Sequence, residues 1–197
     1  MQPINMKRLI GAFILLSACR TEPNAAKPPS ADAAPAAPAA ASDAPPSSTA
    51  RHVQVHFSPK RGCREAIVGV IASAKSTVRV MAYGFTSQEV CDALVDAKKR
   101  GVDVQVVLDK SNLSDKHSKM RDAEAAGIQV FVDSKHAIMH NKLVLVDGKT
   151  VQTGSYNYTA AAEESNAENC LVLTDKALCT EYEAEWRVHR EHSGLAP

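Results

Sequence analysis

A histidine, a lysine and an aspartate at short spacing mark the part of this chain that is best equipped for chemistry. His140, Lys142 and Asp147 form the pattern H-x-K-x-x-x-x-D, and with Gly154–Asn157 and Glu168 they fall within 29 residues. They supply a nucleophile or proton carrier, a fixed cation, a hydroxyl, an amide and a carboxylate. Phosphoryl transfer needs an in-line nucleophile, positive charge near the non-bridging oxygens and a proton for the leaving oxygen. The set therefore indicates a site that holds and attacks a phosphodiester.

Each residue type predicts a role in such a site. A neutral imidazole attacks phosphorus and an imidazolium protonates a leaving oxygen, which makes His140 the predicted catalytic residue, through a phosphohistidine intermediate. Lys142 offers a compact positive charge to the phosphate oxygens, and Ser155 and Asn157 offer them hydrogen bonds. Glu168 is predicted to accept a hydrogen bond from the second imidazole nitrogen and so to fix its tautomer.

Asp147 is predicted to be structural although it belongs to the same pattern. It follows a five-residue strand that begins at Lys142. At the usual strand rise it lies roughly 17 Å from that lysine, which is too far to share a phosphate.

The elements around these residues are predicted to bring their polar ends together. Lys142–Val146 is an apolar run, Asp147–Lys149 is a turn signal, and Thr150–Thr153 alternates as a strand does. The hairpin returns Ser155 to the start of the first strand, and a further strand over 169–174 begins just after Glu168. Three strand ends are therefore expected to converge on one polar cluster.

The rest of the domain alternates strand and helix, which predicts an α/β layered fold. We expect its mixed sheet to be parallel in the first half and antiparallel around the site. The remaining predicted strands are 53–57, 78–83, 103–108 and 128–132, and the predicted helices are 61–75, 87–99, 117–126 and 175–191.

The histidine, lysine and aspartate pattern resembles the HKD signature of the phospholipase D superfamily. From His52 to His192 the chain is similar to the small single-motif bacterial endonucleases of the Nuc type, including Met81–Thr86, Arg100–Asp103 and Thr159–Glu164. The resemblance implies a layered α/β/α phospholipase D-like domain with phosphodiesterase activity. It also implies a homodimer, because the larger members carry two HKD copies and the small ones pair.

A second motif is missing from the sequence, although the chemistry assigns two roles to histidine. His117 and Lys119 give H-x-K, but Glu124 stands where the aspartate would be. A twofold homodimer that places His140 and its symmetry mate across one cleft is therefore predicted to complete the site.

No cofactor and no metal are expected at this site. The pattern lacks an acidic cluster with spacing suited to Mg²⁺, and Lys142 already provides positive charge. The cysteines show no C-x-x-C or nearby histidine spacing for zinc. Of the other histidines, His136 is the nearest to the motif in sequence, whereas no role is assigned to His52, His56, His189 or His192.

Net charge does not single out a polyanion binder. From residue 51 onward the chain has 19 Lys and Arg and 19 Asp and Glu, whereas nucleic-acid binders are usually basic. Basic residues do cluster in sequence, and they are predicted either to be solvated or to form a groove for nucleic acid: Lys98, Lys99, Arg100, Lys110, Lys116, Lys119 and Arg121.

The N-terminal residues are predicted to direct export. Residues 1–19 combine Lys7 and Arg8 with a short apolar run and end in Leu-Ser-Ala-Cys, which resembles the lipobox of bacterial lipoproteins. Cys19 is the predicted lipidation site, and an ordinary cleaved signal is the alternative. Residues 20–50 are an Ala- and Pro-rich linker to a catalytic domain over 51–197. We expect a periplasmic protein anchored in the outer membrane.

Four cysteines fall within the predicted domain. An even number in an exported protein makes disulfides plausible, and we favour Cys63–Cys91 and Cys170–Cys179 over the other pairings. Buried free thiols are nearly as well supported.

Three functions remain open from sequence. A non-specific, metal-independent endonuclease that acts on DNA, with RNA also open, is preferred because of the single-motif resemblance. A phospholipase D would use the same residues on membrane phospholipid, but no amphipathic membrane helix is apparent. A non-catalytic nucleic-acid-binding module is disfavoured by the intact motif.

Overall fold

Residues 52–197 are the part of the chain that the computed structural model describes. The predicted signal peptide, Cys19 and the linker lie outside these residues. The strands are β1 (His52–Phe57), β2 (Thr77–Ala82), β3 (Asp103–Asp109), β4 (Gln129–Asp133), β5 (Lys142–Val146), β6 (Thr150–Gly154), β7 (Asn169–Thr174) and β8 (Gly194–Leu195). The helices are α1 (Cys63–Ala72), α2 (Gln88–Lys99), α3 (Met120–Ala125), α4 (Ala160–Glu164) and α5 (Lys176–His192), with a 3₁₀ turn over Lys110–Leu113.

The strands form one mixed sheet in the order β1-β7-β6-β5-β2-β3-β4-β8. β2, β3 and β4 pair in parallel, because helices return the chain between them. β5, β6, β7 and β1 are antiparallel, and β5 joins the two halves through antiparallel pairing with β2. This confirms the predicted α/β fold with a mixed sheet.

Alternating strand residues fill two apolar cores on opposite faces of the sheet. Val80 and Val106 face the core that α1, α2 and α3 cover. Met81 and Val107, one residue on, belong to the core that α5 covers with Trp186. Helices on both faces give the three layers.

Side-chain caps begin three of the helices. Ser87 accepts a hydrogen bond from Val90 N at 3.3 Å at the start of α2, and Thr159 accepts one from Ala162 N at 3.2 Å at the start of α4. Asp175 accepts from the first turn of α5. The short α4, the 3₁₀ turn and β8 were not predicted, because each is too brief to show periodicity.

The predicted disulfide pairing is wrong. All four cysteines of the described domain are free and buried. Cys170 and Cys179 belong to cores on opposite faces of the sheet. Cys63 on α1 instead lies within hydrogen-bonding contact of Cys170, and burial, followed by the charge of that neighbour, raises the pKa of Cys63 to about 12. These thiols pack as small apolar groups.

No helix within residues 52–197 is both long enough and apolar enough to cross a membrane.

Candidate active site

The residues of the motif lie at one edge of the sheet, where four strands begin or end. Lys142 at the start of β5 pairs with Ala82 at the end of β2. Gly154 at the end of β6 pairs with Cys170 near the start of β7. The segments that leave these ends carry His140, Ser155, Asn157 and Glu168, so the hairpin brings them to a common edge as predicted.

Tyr83 links the histidine and the lysine of the motif. The His140 ring is exposed and stands 4.9 Å from the Tyr83 ring, centroid to centroid. Lys142 Nζ lies 5.4 Å from the same ring and donates to the carbonyl oxygen of His140 at 2.7 Å. Sequence reasoning assigned no role to Tyr83, although it lies in the Met81–Thr86 segment.

Lys142 is buried, with 6% of the residue exposed. Burial lowers the pKa of Lys142, and the negative charge of Glu168 partly opposes that change. A partly desolvated cation held by the His140 carbonyl oxygen is a strong partner for a phosphate oxygen.

Glu168 does not contact His140, contrary to the prediction. Its carboxylate accepts from Ser155 Oγ at 2.6 Å and from Asn166 Nδ2 at 3.1 Å. Ser155 Oγ in turn accepts from Asn169 N at 3.1 Å. The hydroxyl hydrogen of Ser155 is therefore committed to Glu168, and Glu168 acts on the site through Ser155 and through its charge near Lys142.

Asn157 is the uncommitted polar side chain of the site. Its Oδ1 is buried and has no hydrogen-bond partner among the described residues. Buried polar atoms are almost always paired, so this unpaired acceptor is suited to a donor group of a bound ligand, whereas a phosphate oxygen would need the amide Nδ2 as its donor. Close packing at Gly84 holds this amide, because a Cβ there would stand 2.9 Å from Thr159 Cγ2 and 3.7 Å from Asn157 Cβ.

Gly154 is required by its surroundings. Its φ is 153°, and a Cβ would overlap the carbonyl oxygen of Asn169. Two buried hydrogen bonds hold the segment that follows Gly154. Tyr156 donates to Glu163 at 3.0 Å, and Tyr158 donates to Gln152 at 2.8 Å. Sequence reasoning missed these buried pairs.

Asp147 lies at the opposite end of β5, at a left-handed turn position with φ 52°. Its carboxylate accepts from Ser76 N at 2.8 Å, from Thr77 N at 3.0 Å and from Lys75 N at 3.0 Å. Burial favours the protonated form, but these hydrogen bonds outweigh it and lower the pKa of Asp147 to about 2. The carboxylate thus holds the loop that leads into β2.

A polar cleft of about 500 Å³ opens next to Tyr83. Its wall is tied to the site, because Asn112 Nδ2 donates to the Tyr83 carbonyl at 2.7 Å and Lys119 N donates to the Phe85 carbonyl at 2.8 Å. Lys116 and His117 also line it. The basic residues that cluster in sequence do not form one group in the structure. Lys98, Lys99 and Arg100 lie at the C-terminal end of α2, where Arg100 donates to the Ala72 carbonyl oxygen, whereas Lys116, Lys119 and Arg121 line the cleft.

Comparison with known proteins identifies this arrangement. Residues 67–189 match the family model described as "Cardiolipin synthase, PLD-like domain". The chain is 39% identical over 142 residues to a phospholipase D of Rickettsia bellii, which covers 72% of this chain and 71% of that protein. This chain belongs to the phospholipase D family. It is a phosphodiester hydrolase of that family, as its motif residues predicted.

Solved structures of the family share its fold. Nuc from Salmonella typhimurium, a phospholipase D family member, is 37% identical, with a TM-score of 0.73 over 75% of this chain and 99% of Nuc.

Sequence relatives include proteins with a different name. A mitochondrial cardiolipin hydrolase of Xenopus laevis is 31% identical over 116 residues, which is 59% of this chain and 55% of that protein. These relatives have different names, so family membership defines the reaction class and not the substrate.

Proposed function

We propose that this phospholipase D-like hydrolase is a non-specific endonuclease that cleaves DNA or RNA without a metal ion. The observation that carries the proposal is the polar cleft beside Tyr83, which Lys116, His117 and Arg121 line. Asp115 and Asp122 line it as well, and Asp122 pairs with Lys119 at 3.3 Å. Cationic and hydrogen-bonding groups along a cleft suit a polyanionic backbone, whereas acyl chains need an apolar wall. The similarity to Nuc over 99% of its chain supports the same choice.

The proposed reaction has two displacements at phosphorus. In the first, a neutral His140 attacks phosphorus in line with the leaving oxygen, the phosphorus–oxygen bond breaks, and a protonated histidine donates to the departing oxygen. In the second, that histidine takes a proton from water, and the resulting hydroxide breaks the phosphohistidine bond. Lys142 Nζ and Asn157 Nδ2 donate to the non-bridging oxygens, whose charge they stabilise in both transition states.

Ser155 has a different role in this proposal from the one that sequence predicted. Its hydroxyl donates to Glu168, so its hydrogen is not free for phosphate. It holds Glu168 close enough to support the charge of Lys142. Ser155 and Glu168 are therefore positioning residues, and Asn157 is the direct hydrogen-bonding residue.

A homodimer is the second part of the proposal. The nucleophile and the proton donor of this reaction are two different imidazoles, and among the described residues only His140 lies on the segments that carry Lys142, Ser155 and Asn157. This ring is exposed, so another chain can reach it. Exposed apolar side chains also stand on segments that lead into the site, namely Phe57, Leu113 and Ile138, which are 42%, 47% and 56% exposed. A second copy that covers them would bury apolar surface while it supplies the second histidine.

Mixed dimers test the shared site. If neither chain works alone, a dimer of one intact and one His140→Ala chain is inactive. Equal amounts of the two chains, co-refolded at random, leave about a quarter of the dimers intact, so activity per total protein falls to about that fraction. Retention of about half, with mixing confirmed by pull-down of differently tagged chains, contradicts the shared site and makes His136 and His117 the first candidates for a proton donor within the chain.

Phospholipid hydrolysis is the second candidate function, and a specific observation favours it. The same exposed Phe57, Leu113 and Ile138 would contact acyl chains in a lipid complex. The names of the Rickettsia and Xenopus relatives point the same way.

Parallel assays on plasmid DNA, RNA and phosphatidylcholine vesicles separate these functions. We expect cleavage of nucleic acid by the wild type, loss of at least about 1,000-fold in His140→Ala, and no choline release. His52→Ala is the matched control, because His52 is exposed on β1. Choline release without nucleic-acid cleavage refutes the nuclease. DNA binding without any hydrolysis indicates the non-catalytic module instead.

We also propose that the protein is exported to the periplasm and held at the outer membrane by a lipid on Cys19. The lipobox-like sequence supports this, and the Ala- and Pro-rich linker would let the domain work at some distance from the membrane.

A further inference from the structure

Three histidines and an aspartate form a compact group that does not include His140. Asp133 ends β4 and is fully buried, His136 follows it in the next loop, and His189 and His192 lie on the last turn of α5. His136 Nδ1, His189 Nδ1 and His192 Nε2 lie 2.8, 2.8 and 3.0 Å from one oxygen, Asp133 Oδ2. The four atoms all lie within 4.8 Å of one another.

Three imidazole nitrogens on a single oxygen exceed what hydrogen bonding requires. A carboxylate oxygen has two lone pairs, so the third nitrogen gains little from the contact. The second carboxylate oxygen, Oδ1, is occupied separately, since it accepts from Lys135 N at 2.9 Å and from His136 N at 3.2 Å. The three nitrogens and the oxygen that they surround are four metal-ligand atoms within 4.8 Å of one another, a spacing that one cation can span.

His189 provides a second, independent observation. Its Nε2 lies 3.2 Å from Glu185 Oε1, while its Nδ1 faces Asp133. A neutral imidazole carries one hydrogen and cannot donate to both carboxylates, so these two contacts need either an imidazolium or a cation at Nδ1. With a metal ion at Nδ1, the ring stays neutral and Nε2–H donates to Glu185. A carboxylate that orients a histidine ligand in this way is characteristic of zinc sites.

We propose that Asp133, His136, His189 and His192 bind a divalent transition-metal ion, with Zn²⁺ the best match. Three imidazoles and a carboxylate are zinc ligands, and a tetrahedral ion with bonds of about 2.0–2.1 Å separates its ligand atoms by roughly 3.3 Å. The observed distances to Oδ2 are a few tenths of an ångström shorter. Closure around the ion therefore needs shifts of about 1 Å or less per atom.

The proposed ion is structural. Four protein ligands complete a tetrahedral shell and leave no open position for a reacting water. The ion ties α5 to the end of β4 and to the loop of residues 134–139, which leads directly to His140. That loop is also held by Met139 N, which donates to Asp109 at 2.8 Å, and by Lys110 Nζ, which donates to the His136 carbonyl at 2.8 Å. The ion stabilises the segment that precedes the catalytic histidine.

Metal binding to the full chain tests the proposal, with no polyhistidine tag. The protein is stripped with a strong chelator and titrated with Zn²⁺ and with Co²⁺. We expect about one ion per chain, and the visible absorption of four-coordinate Co²⁺ without a thiolate charge-transfer band, because no cysteine takes part. At Zn²⁺ about 100-fold above its Kd, the melting temperature rises by roughly 5–10 °C.

Matched histidine variants locate the ion. His136→Ala should weaken Zn²⁺ binding at least about 10-fold. The His136 side chain is 44% exposed, so its removal leaves no buried cavity and the variant is expected to fold. His192→Ala repeats the test from α5. His52→Ala should bind as the wild type does. Failure of the wild type to bind, unchanged binding by both cluster variants, or a cobalt–thiolate band overturns the proposal. Hydrolysis below the melting temperature is not the readout, so the outcome is independent of the nuclease proposal.

Discussion

Asp147→Asn separates the aspartate of the motif from the chemistry of the motif. The substitution keeps the shape of the side chain and removes its charge. In the wild type, the carboxylate oxygens accept from the backbone N–H groups of Lys75–Thr77 at 2.8–3.0 Å. In the variant, an amide NH₂ group takes the place of one of these oxygens and faces an N–H group to which it cannot bond. The loop before β2 loses support, whereas the other end of β5, where Lys142 lies, is unchanged.

The size of the effect follows from the lowered pKa of Asp147. A fall from 3.8 to about 2 corresponds to roughly 2.4 kcal/mol at neutral pH. Partial exposure to solvent reduces this to about 1–2 kcal/mol. The melting temperature should then drop by roughly 2–8 °C. Because the folded pKa is below the unfolded one, the stabilisation is complete above pH ~4 and disappears as the pH falls through ~2.

Thermal melts from pH 7 to pH 2.5, measured beside rates at 25 °C, check both points. The gap between wild type and Asp147→Asn should narrow at the acid end, and the rate at pH 7 should change less than about twofold. Asp96→Asn is the control, since Asp96 makes only a surface pair with Lys99 at 3.0 Å. Equal melting temperatures with a large loss of rate would show that Asp147 belongs to the site.

Three further predictions concern the charge of Glu168, the need for a metal ion and the lipid anchor. Glu168→Gln should lower the rate by about 10–100-fold and leave the melting temperature within a few degrees of the wild type. It should also shift the alkaline limb of the pH–rate profile to lower pH, because the charge of Glu168 raises the pKa of Lys142. An unchanged profile contradicts this role. Hydrolysis should survive EDTA at temperatures below the melting transition. If EDTA abolishes the activity and Mg²⁺ restores it, the HKD mechanism is refuted, because Mg²⁺ prefers oxygen ligands and would not fill the histidine cluster. Cys19→Ala should move the protein from the membrane fraction to the soluble fraction, whereas a wild type recovered wholly soluble from the periplasm favours the ordinary cleaved signal.

Local patterns predicted most of the fold. Alternation and apolar runs located the eleven longer elements to within a few residues, because strand and helix periodicity are properties of neighbouring residues. The short α4 and β8 were missed, since they depend on packing and pairing and not on their own pattern.

The sequence predicted which residues lie at one end of the sheet, but not the hydrogen bonds between them. The strand ends placed His140, Lys142, Ser155 and Asn157 at one edge, as the hairpin requires. The predicted hydrogen bond between Glu168 and His140 is wrong, because Glu168 instead accepts from Ser155 on the adjacent segment. Spacing in sequence fixes which strand end carries a residue, whereas the contact of two side chains depends on rotamer and on neighbouring strands.

By itself, the sequence determined the reaction class, because H-x-K-x-x-x-x-D and G-S-x-N lie on a single hairpin whose geometry is local. Only the tertiary structure decided what long-range packing controls. Cys63 meets Cys170 and not Cys91, and Asp133 meets His189, which is 56 residues away. Those contacts depend on the strand order and on the face of the sheet that each helix covers, and both are set by burial of the whole apolar surface at once.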